Sequence, residues 1–302
     1  MSYLDPAILS KIGRLDLKAK YVVEGFISGL HRSPFKGFSV EFAQHRGYVP
    51  GDDLKHLDWR VYGKSERYYI KQYEAETNLT CHVLLDGSTS MLYQGTRAAA
   101  GLSKLEYGKV SAAALSHLVL SQSDAAGLTM FDGDLATVVA PSTRKAHLLR
   151  LCAVLEEHEP KNKTAIGEVL HTIGDRVRRR GVVMVISDLL DQPKDILDGM
   201  LRLRHQGHEV VALHLMDDDE LDFPFEGNIQ FKGLEGGREL RVHPRSVKQS
   251  YLDELHKHMT ALESGCRKCG VDYVLLRTSQ PPDVGLAAYL GMRERLRTGV
   301  RR

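Results

Sequence analysis

From Leu79 onward, apolar positions alternate between short unbroken runs and stripes of helical period. Leu79–Leu85 predicts a buried strand, with Val83, Leu84 and Leu85 as its core end. Lys104–Ser121 predicts a helix whose buried stripe is Ala113, Ala114, Leu115, Leu118 and Val119. Gly127–Phe131 and Ala136–Ala140 flank Asp132-Gly133-Asp134 at hairpin spacing, so one of them is expected as an antiparallel edge strand. Lys145–Glu157 and Thr164–Arg179 carry apolar residues at i, i+3, i+4 and i+7 and predict two helices. Val182–Ser187 is an apolar strand ending at Asp188. Pro193–Gln206, Ser246–Ser264 and Asp283–Gly291 predict helices, and Glu209–Leu215 and Val271–Arg277 strands. Strands that are apolar on both faces need cover on both faces. This order therefore predicts an α/β fold with a doubly wound, mainly parallel sheet flanked by helices.

Two regions break the alternation. Residues 1–78 precede the first core strand and are expected to pack on the core as part of the folded unit, leaving 79–302 as the main domain. Residues 217–243 interrupt it: Ile229–Lys232 and Glu239–Val242 alternate around Glu235-Gly236-Gly237, an inserted hairpin. Phe38–Phe42 and Tyr68–Tyr73 alternate similarly and predict a small β elaboration.

Composition narrows the function classes. Lys and Arg total 41 against 39 Asp and Glu, a formal charge of +2 that excludes a nucleic-acid binder relying on an overall basic surface. Arg176–Arg180 reads as the charged last turn of a helix, where cations meet the helix dipole favourably, and Arg293–Arg302 as a solvated tail. Cys81 and Cys152 read as small core residues. Cys266-Arg267-Lys268-Cys269 has no second pair to complete a zinc site and follows a predicted helix instead of opening one, so its expected role is structural. No stretch reaches the roughly 18 apolar residues of a membrane-spanning helix, and no signal-peptide pattern opens the chain, so the expected location is cytoplasmic.

The segment richest in chemistry is Leu84-Leu85-Asp86-Gly87-Ser88-Thr89-Ser90-Met91. Asp86 lies at the C-terminal tip of its strand, the edge of an open α/β sheet where ligands bind. Gly87 permits a sharp turn, after which Asp86, Ser88 and Ser90 can aim their oxygens at one spot. Hard oxygens with few formal charges suit a small divalent cation. Asp188 lies at a second strand tip, and Thr164 opens the helix before that strand, so all five residues are expected around one ion. Singly, each has an ordinary use: Asp86 and Asp188 as turn caps, Ser88 and Ser90 as backbone partners in a loop, Thr164 as a helix N-cap. The combination, in this order, favours metal binding.

Asp-x-Ser-x-Ser, then a loop threonine, then a strand-end aspartate resembles the metal-ion-dependent adhesion site of von Willebrand factor type A domains. Upstream, Arg46-Gly47-Tyr48-Val49-Pro50-Gly51-Asp52-Asp53, Leu57-Asp58-Trp59 and Tyr73-Glu74-Ala75-Glu76 resemble the bacterial and archaeal family called domain of unknown function 58. That family joins such a segment to a type A-like fold. The resemblance implies a bound Mg²⁺ or Mn²⁺ and a protein partner. It also implies a link to MoxR-type AAA+ ATPases, beside which such proteins are commonly encoded, as adaptor to a client. Many relatives carry two membrane-spanning helices before this region, and this chain shows none.

The upstream motif also has a structural use. Pro50-Gly51 suits a type II turn. Asp52 or Asp53 is expected to cap a short helix through Trp59, Trp59 to be a packing anchor, and Arg46 to pair with Asp52, Asp53 or Asp58. No histidine or lysine stands out beside the metal ligands as a general base. The expectation is therefore a non-enzymatic, metal-dependent protein-binding module. A metal-dependent hydrolase using Asp86 or Asp188, and a structural scaffold with an empty site, are the alternatives.

Overall fold

The structure is a computed structural model that describes residues 12–29, 42–47, 58–65, 67–73, 79–133, 135–161, 165–177, 179–234, 239–287 and 289. The chain divides into two compact units at Pro34/Phe35 and Leu79/Thr80. The smaller holds strand β1 (Phe42–Gly47), helix α2 (Trp59–Ser65) and strand β2 (Tyr69–Tyr73). β1 and β2 pair antiparallel, with Arg46 opposite Ile70. Asp58 precedes α2, and its Oδ1 accepts from the Val61 N–H at 3.3 Å. The helix therefore starts at Trp59 under an Asp58 cap, and does not end there under Asp52 or Asp53. Trp59 is 64% exposed, which corrects its expected role as a packing anchor. The Pro50-Gly51-Asp52-Asp53 motif lies outside the described residues.

The larger unit begins with α1 (Leu15–Gly29) and continues with β3 (Thr80–Asp86), α3 (Lys104–Ser121), β4 (Ala125–Phe131), β5 (Leu135–Ser142), α4 (His147–Glu157), α5 (Ile166–Arg176) and β6 (Val182–Ser187). It continues with α6 (Pro193–His205), β7 (Glu209–Met216), α7 (Asp218–Asp222), β8 (Ile229–Phe231), β9 (Leu240–Val242), α8 (Pro244–Cys269) and β10 (Asp272–Arg277), after which residues 282–287 are helical. Six strands form one sheet in the order β10-β7-β6-β3-β4-β5. All neighbours are parallel except β4 and β5, the hairpin edge expected from the sequence. β8 and β9 pair as the inserted hairpin, Gln230 opposite Arg241.

Alternate strand residues feed two cores. Leu84, Val183, Val185, Val210 and Ala212 pack with Ile166, Leu170, Ile196, Met200, Leu262 and Cys266 from α5, α6 and α8. On the opposite face, Gly108 of α3 lies so close to Leu85 and Ile186 that a Cβ there would stand 2.8 Å from Leu85 Cδ1. The sheet is thus doubly wound. α3 is buried well beyond its predicted stripe, including Tyr107, Ser111, Ala112 and Ser116. α1 supplies the extra cover, packing on α3 with Ala19, Val22 and Val23 buried. Helix α8 runs on to Cys269, so the Cys-x-x-Cys motif forms its last turns, and both sulfurs belong to the core cluster or pack against it.

Candidate metal edge

From β3 the chain proceeds outward through β4 and β5; from β6 it proceeds the opposite way through β7 and β10. The crevice between β3 and β6 is therefore the topological switch point, where open α/β sheets bind ligands beyond the strands' C-terminal ends. Leu85 pairs with Ile186, which brings Asp86 beside Ser187 and Asp188. Four of the five expected site residues, Asp86, Ser88, Ser90 and Asp188, gather here; Thr164 lies outside the described residues. Its chain neighbour Ala165 donates its N–H to the Asp132 carbonyl just past β4, at 3.5 Å.

The loop after β3 is held from both sides. Asp86 Oδ1 accepts from the Ser88 N–H at 2.9 Å, and Asp86 Oδ2 accepts from Ser187 Oγ at 2.6 Å. Ser187 Oγ in turn accepts from the Leu189 N–H at 2.9 Å, fixing Leu189 at a left-handed φ of 51°. Gly87 has no such φ. What its position requires is space: a Cβ would lie 2.0 Å from His158 Nε2, and that imidazole bonds the Gly87 carbonyl at 3.0 Å. Ser88 Oγ and Ser90 Oγ are 3.0 Å apart, and Ser90 also bonds Asp188.

The cation in this network is not legible from local sequence. Lys104, the first residue of α3, is fully buried. Its Nζ donates to Asp188 Oδ2 at 2.9 Å and to Glu220 Oε1 at 2.7 Å. Ser103 sets its place through a capping box with Glu106. Glu220 is fixed likewise: its other oxygen accepts from the Asp217 N–H at 2.9 Å in the capping box of α7. Asp217 accepts from the Gly95 N–H at 3.0 Å and from Thr278 Oγ1 at 2.6 Å. Arg97 bonds Asp219 and Asp222. The loop after β3 is thereby tied to the turn after β7. His214, inside β7, adds a bond to the Asp188 carbonyl at 2.8 Å and one to the Tyr273 hydroxyl at 2.6 Å.

The electrostatics follow from burial and neighbours. Burial, then repulsion from Asp188, pushes the Asp86 carboxyl up to about 7, against the hydrogen bonds of Ser187 and Ser88. Burial would raise Asp188 too, but the Lys104 charge and hydrogen bond outweigh it and hold that carboxyl below its ordinary value. The two carboxylates likewise outweigh burial at Lys104 and keep it protonated. Breaking such a buried pair costs about 3–5 kcal/mol.

The donor set fits a small divalent cation. The Ser88 and Ser90 hydroxyls are hydrogen-bonded to each other at 3.0 Å, a separation that is also compatible with adjacent ligands of an octahedral Mg²⁺ at about 2.1 Å each. A positive charge beside Asp86 would also relieve the repulsion that raises its pKa. Among the described residues no three His, Cys, Asp or Glu side chains gather into a metal cage. The oxygens here are two carboxylates and two hydroxyls. Lys104 and Glu220 were not legible as site residues, because their partners are remote in sequence.

The sequence signature described as "Protein of unknown function DUF58" matches residues 44–261. The uncharacterized proteins Rv1480 of Mycobacterium tuberculosis and Mb1516 of Mycobacterium bovis are each 25% identical over 298 residues, covering 96% of this chain and 91% of theirs. Among solved structures, the conserved hypothetical protein BatB from Bacteroides thetaiotaomicron is 18% identical, with a TM-score of 0.48 over 71% of this chain and 98% of that one. The SpRpn10 VWA domain is 13% identical, with a TM-score of 0.40 over 71% of this chain and 94% of that one.

Proposed function

The chain belongs to the DUF58 family, and on that premise we propose that it is a protein-binding module whose contact is made through a divalent cation at the β3–β6 edge. The observation that carries this is the convergence of Asp86, Ser88, Ser90 and Asp188 at the switch point, with the two serine hydroxyls at the spacing of adjacent octahedral ligands. Bound there, Mg²⁺ or Mn²⁺ would supply a positive centre that attracts a partner's Asp or Glu carboxylate. Asp86, Ser88, Ser90 and Asp188 would hold it, with Thr164 as the fifth ligand suggested by the motif. Ser187 orients Asp86, and Lys104 orients Asp188.

A hydrolase is less well supported. Lys104 is paired twice and held protonated, which makes it a poor proton acceptor. Both ring nitrogens of His214 are engaged, one with the Asp188 carbonyl and one with Tyr273. One observation favours the scaffold alternative: the Lys104 ammonium already neutralises Asp188 without any metal.

The partner suggested by the family resemblance is a MoxR-type AAA+ ATPase or its client, with Thr89–Arg97 and Leu189–Gln192 as rim. Among the described residues no helix is long and apolar enough to cross a membrane. A pull-down from native lysate compares wild type with Ser88→Ala, each with and without EDTA. Recovery of the ATPase or its client by wild type alone, and only without EDTA, supports the proposal. Equal recovery in all four conditions leaves the scaffold.

A further inference from the structure

The buried lysine touches a predicted metal ligand yet has no place in the ligand set. We propose that Lys104 is a positioning residue that sets the charge of the metal edge: it weakens divalent-cation binding and, once an ion is bound, spares the edge the net negative charge that would repel a carboxylate. This rests on the metal-dependent reading above.

Three features of the structure support it. First, Lys104 has no exposed surface, so water does not screen its charge. Second, its two carboxylate partners differ. Asp188 belongs to the ion's shell, whereas Glu220 gives one oxygen to Lys104 and the other to the Asp217 N–H at the start of α7. Glu220 is thus held outside the ion's ligand set, between the ammonium and the start of α7. Third, the ammonium binds Asp188 through Oδ2, while the other oxygen, Oδ1, accepts from the Leu190 N–H at a long 3.4 Å. One carboxylate is therefore shared between a fixed internal cation and the cation site.

The charge count follows. Asp86 and Asp188 carry two negative charges, which a divalent ion cancels. Lys104 adds one positive charge, which balances Glu220. The loaded edge is then neutral and admits an anion, whereas without the ammonium it would be negative and repel one. Conversely, a divalent ion and an ammonium within about 4–6 Å of a shared carboxylate repel each other strongly. Even at an effective dielectric constant near 20 this repulsion is worth tenfold or more in affinity. Removing Lys104 should therefore move two affinities in opposite directions, which the loss of a merely structural lysine would not do.

The test is a Mn²⁺ titration followed by water-proton relaxation, then an acetate titration into the loaded protein, for wild type and Lys104→Met. Lys104→Met is expected to bind Mn²⁺ at least tenfold more tightly and acetate at least tenfold more weakly. The variant leaves Asp188 and Glu220 without their cation. Should circular dichroism show it unfolded, Lys104→Gln, which keeps a hydrogen-bond donor while removing the charge, is read in its place with the same expectation. Mn²⁺ binding by wild type without tighter binding by the folded variant overturns the role of Lys104 and leaves the metal reading standing. No Mn²⁺ binding by wild type overturns both.

Discussion

His82 offers a sharp test of how the sheet is buried. It is the third residue of β3, and its Nε2 is buried with no hydrogen-bond partner among the described residues. Burial, aided by the neighbouring His208, pushes its pKa from 6.5 down to about 4. The unfolded chain therefore binds more protons than the native state between pH 6.5 and 4, and stability falls as pH falls through that window. The contribution is fully present above pH 7. By linkage, wild type at pH 5 should lose about 2 kcal/mol from this group alone, from 1.36 kcal/mol per pKa unit over the 1.5 units between 6.5 and 5. His82→Leu removes the titration and keeps an apolar side chain of similar size. Its urea-denaturation free energy, followed by far-ultraviolet circular dichroism, should stay close to wild type at pH 8. At pH 5 the variant should be the more stable protein by about 2 kcal/mol. Other titrating groups cancel in the difference between the two proteins. A variant-minus-wild-type difference that is flat from pH 8 to pH 5 would refute the burial of an uncharged imidazole in β3.

Two further substitutions probe packing. Gly87→Ala places a methyl 2.0 Å from His158 Nε2, and such overpacking should cost about 1–3 kcal/mol. The double variant Gly87→Ala/His158→Ala should recover most of that loss in the same denaturation assay, because the obstructing ring is gone. Trp59→Ala should change the melting temperature little, with a cost below about 0.5 kcal/mol, because 64% of the residue is already in water; a loss of several kcal/mol would mean that the indole is buried.

The opposite fates of Trp59 and Asp86 locate the boundary between local and long-range information. Asp86 was legible because an unbroken apolar run ending in Asp-Gly-Ser marks both a buried strand and its exit turn, and these are properties of adjacent residues. The same holds for Val182–Ser187 with Asp188, and for the β4–β5 and β8–β9 hairpins, where the alternation and the turn lie within one short segment. The residue count of Trp59, a single tryptophan, says nothing of what covers it. Its exposure depends on neighbours that no local pattern specifies. Gly87 is expected from the sequence to supply a sharp turn by its conformational freedom, but its φ is ordinary, and what the position requires is space for His158, 71 residues away.

By itself, then, the sequence determined the doubly wound sheet, the two strand tips and the oxygen side chains placed on them. Period and turn chemistry act over a few residues and survive without a tertiary context. Only the folded structure decided that β3 and β6 lie side by side at the switch point. It alone placed Lys104 between Asp188 and Glu220, which are 84 and 116 residues further along the chain. An ammonium at the start of a helix is normally solvated, and its sequence neighbours give no reason to bury it. Burial became tolerable when the strand order brought two carboxylates to bonding distance, because their attraction then outweighed the loss of water.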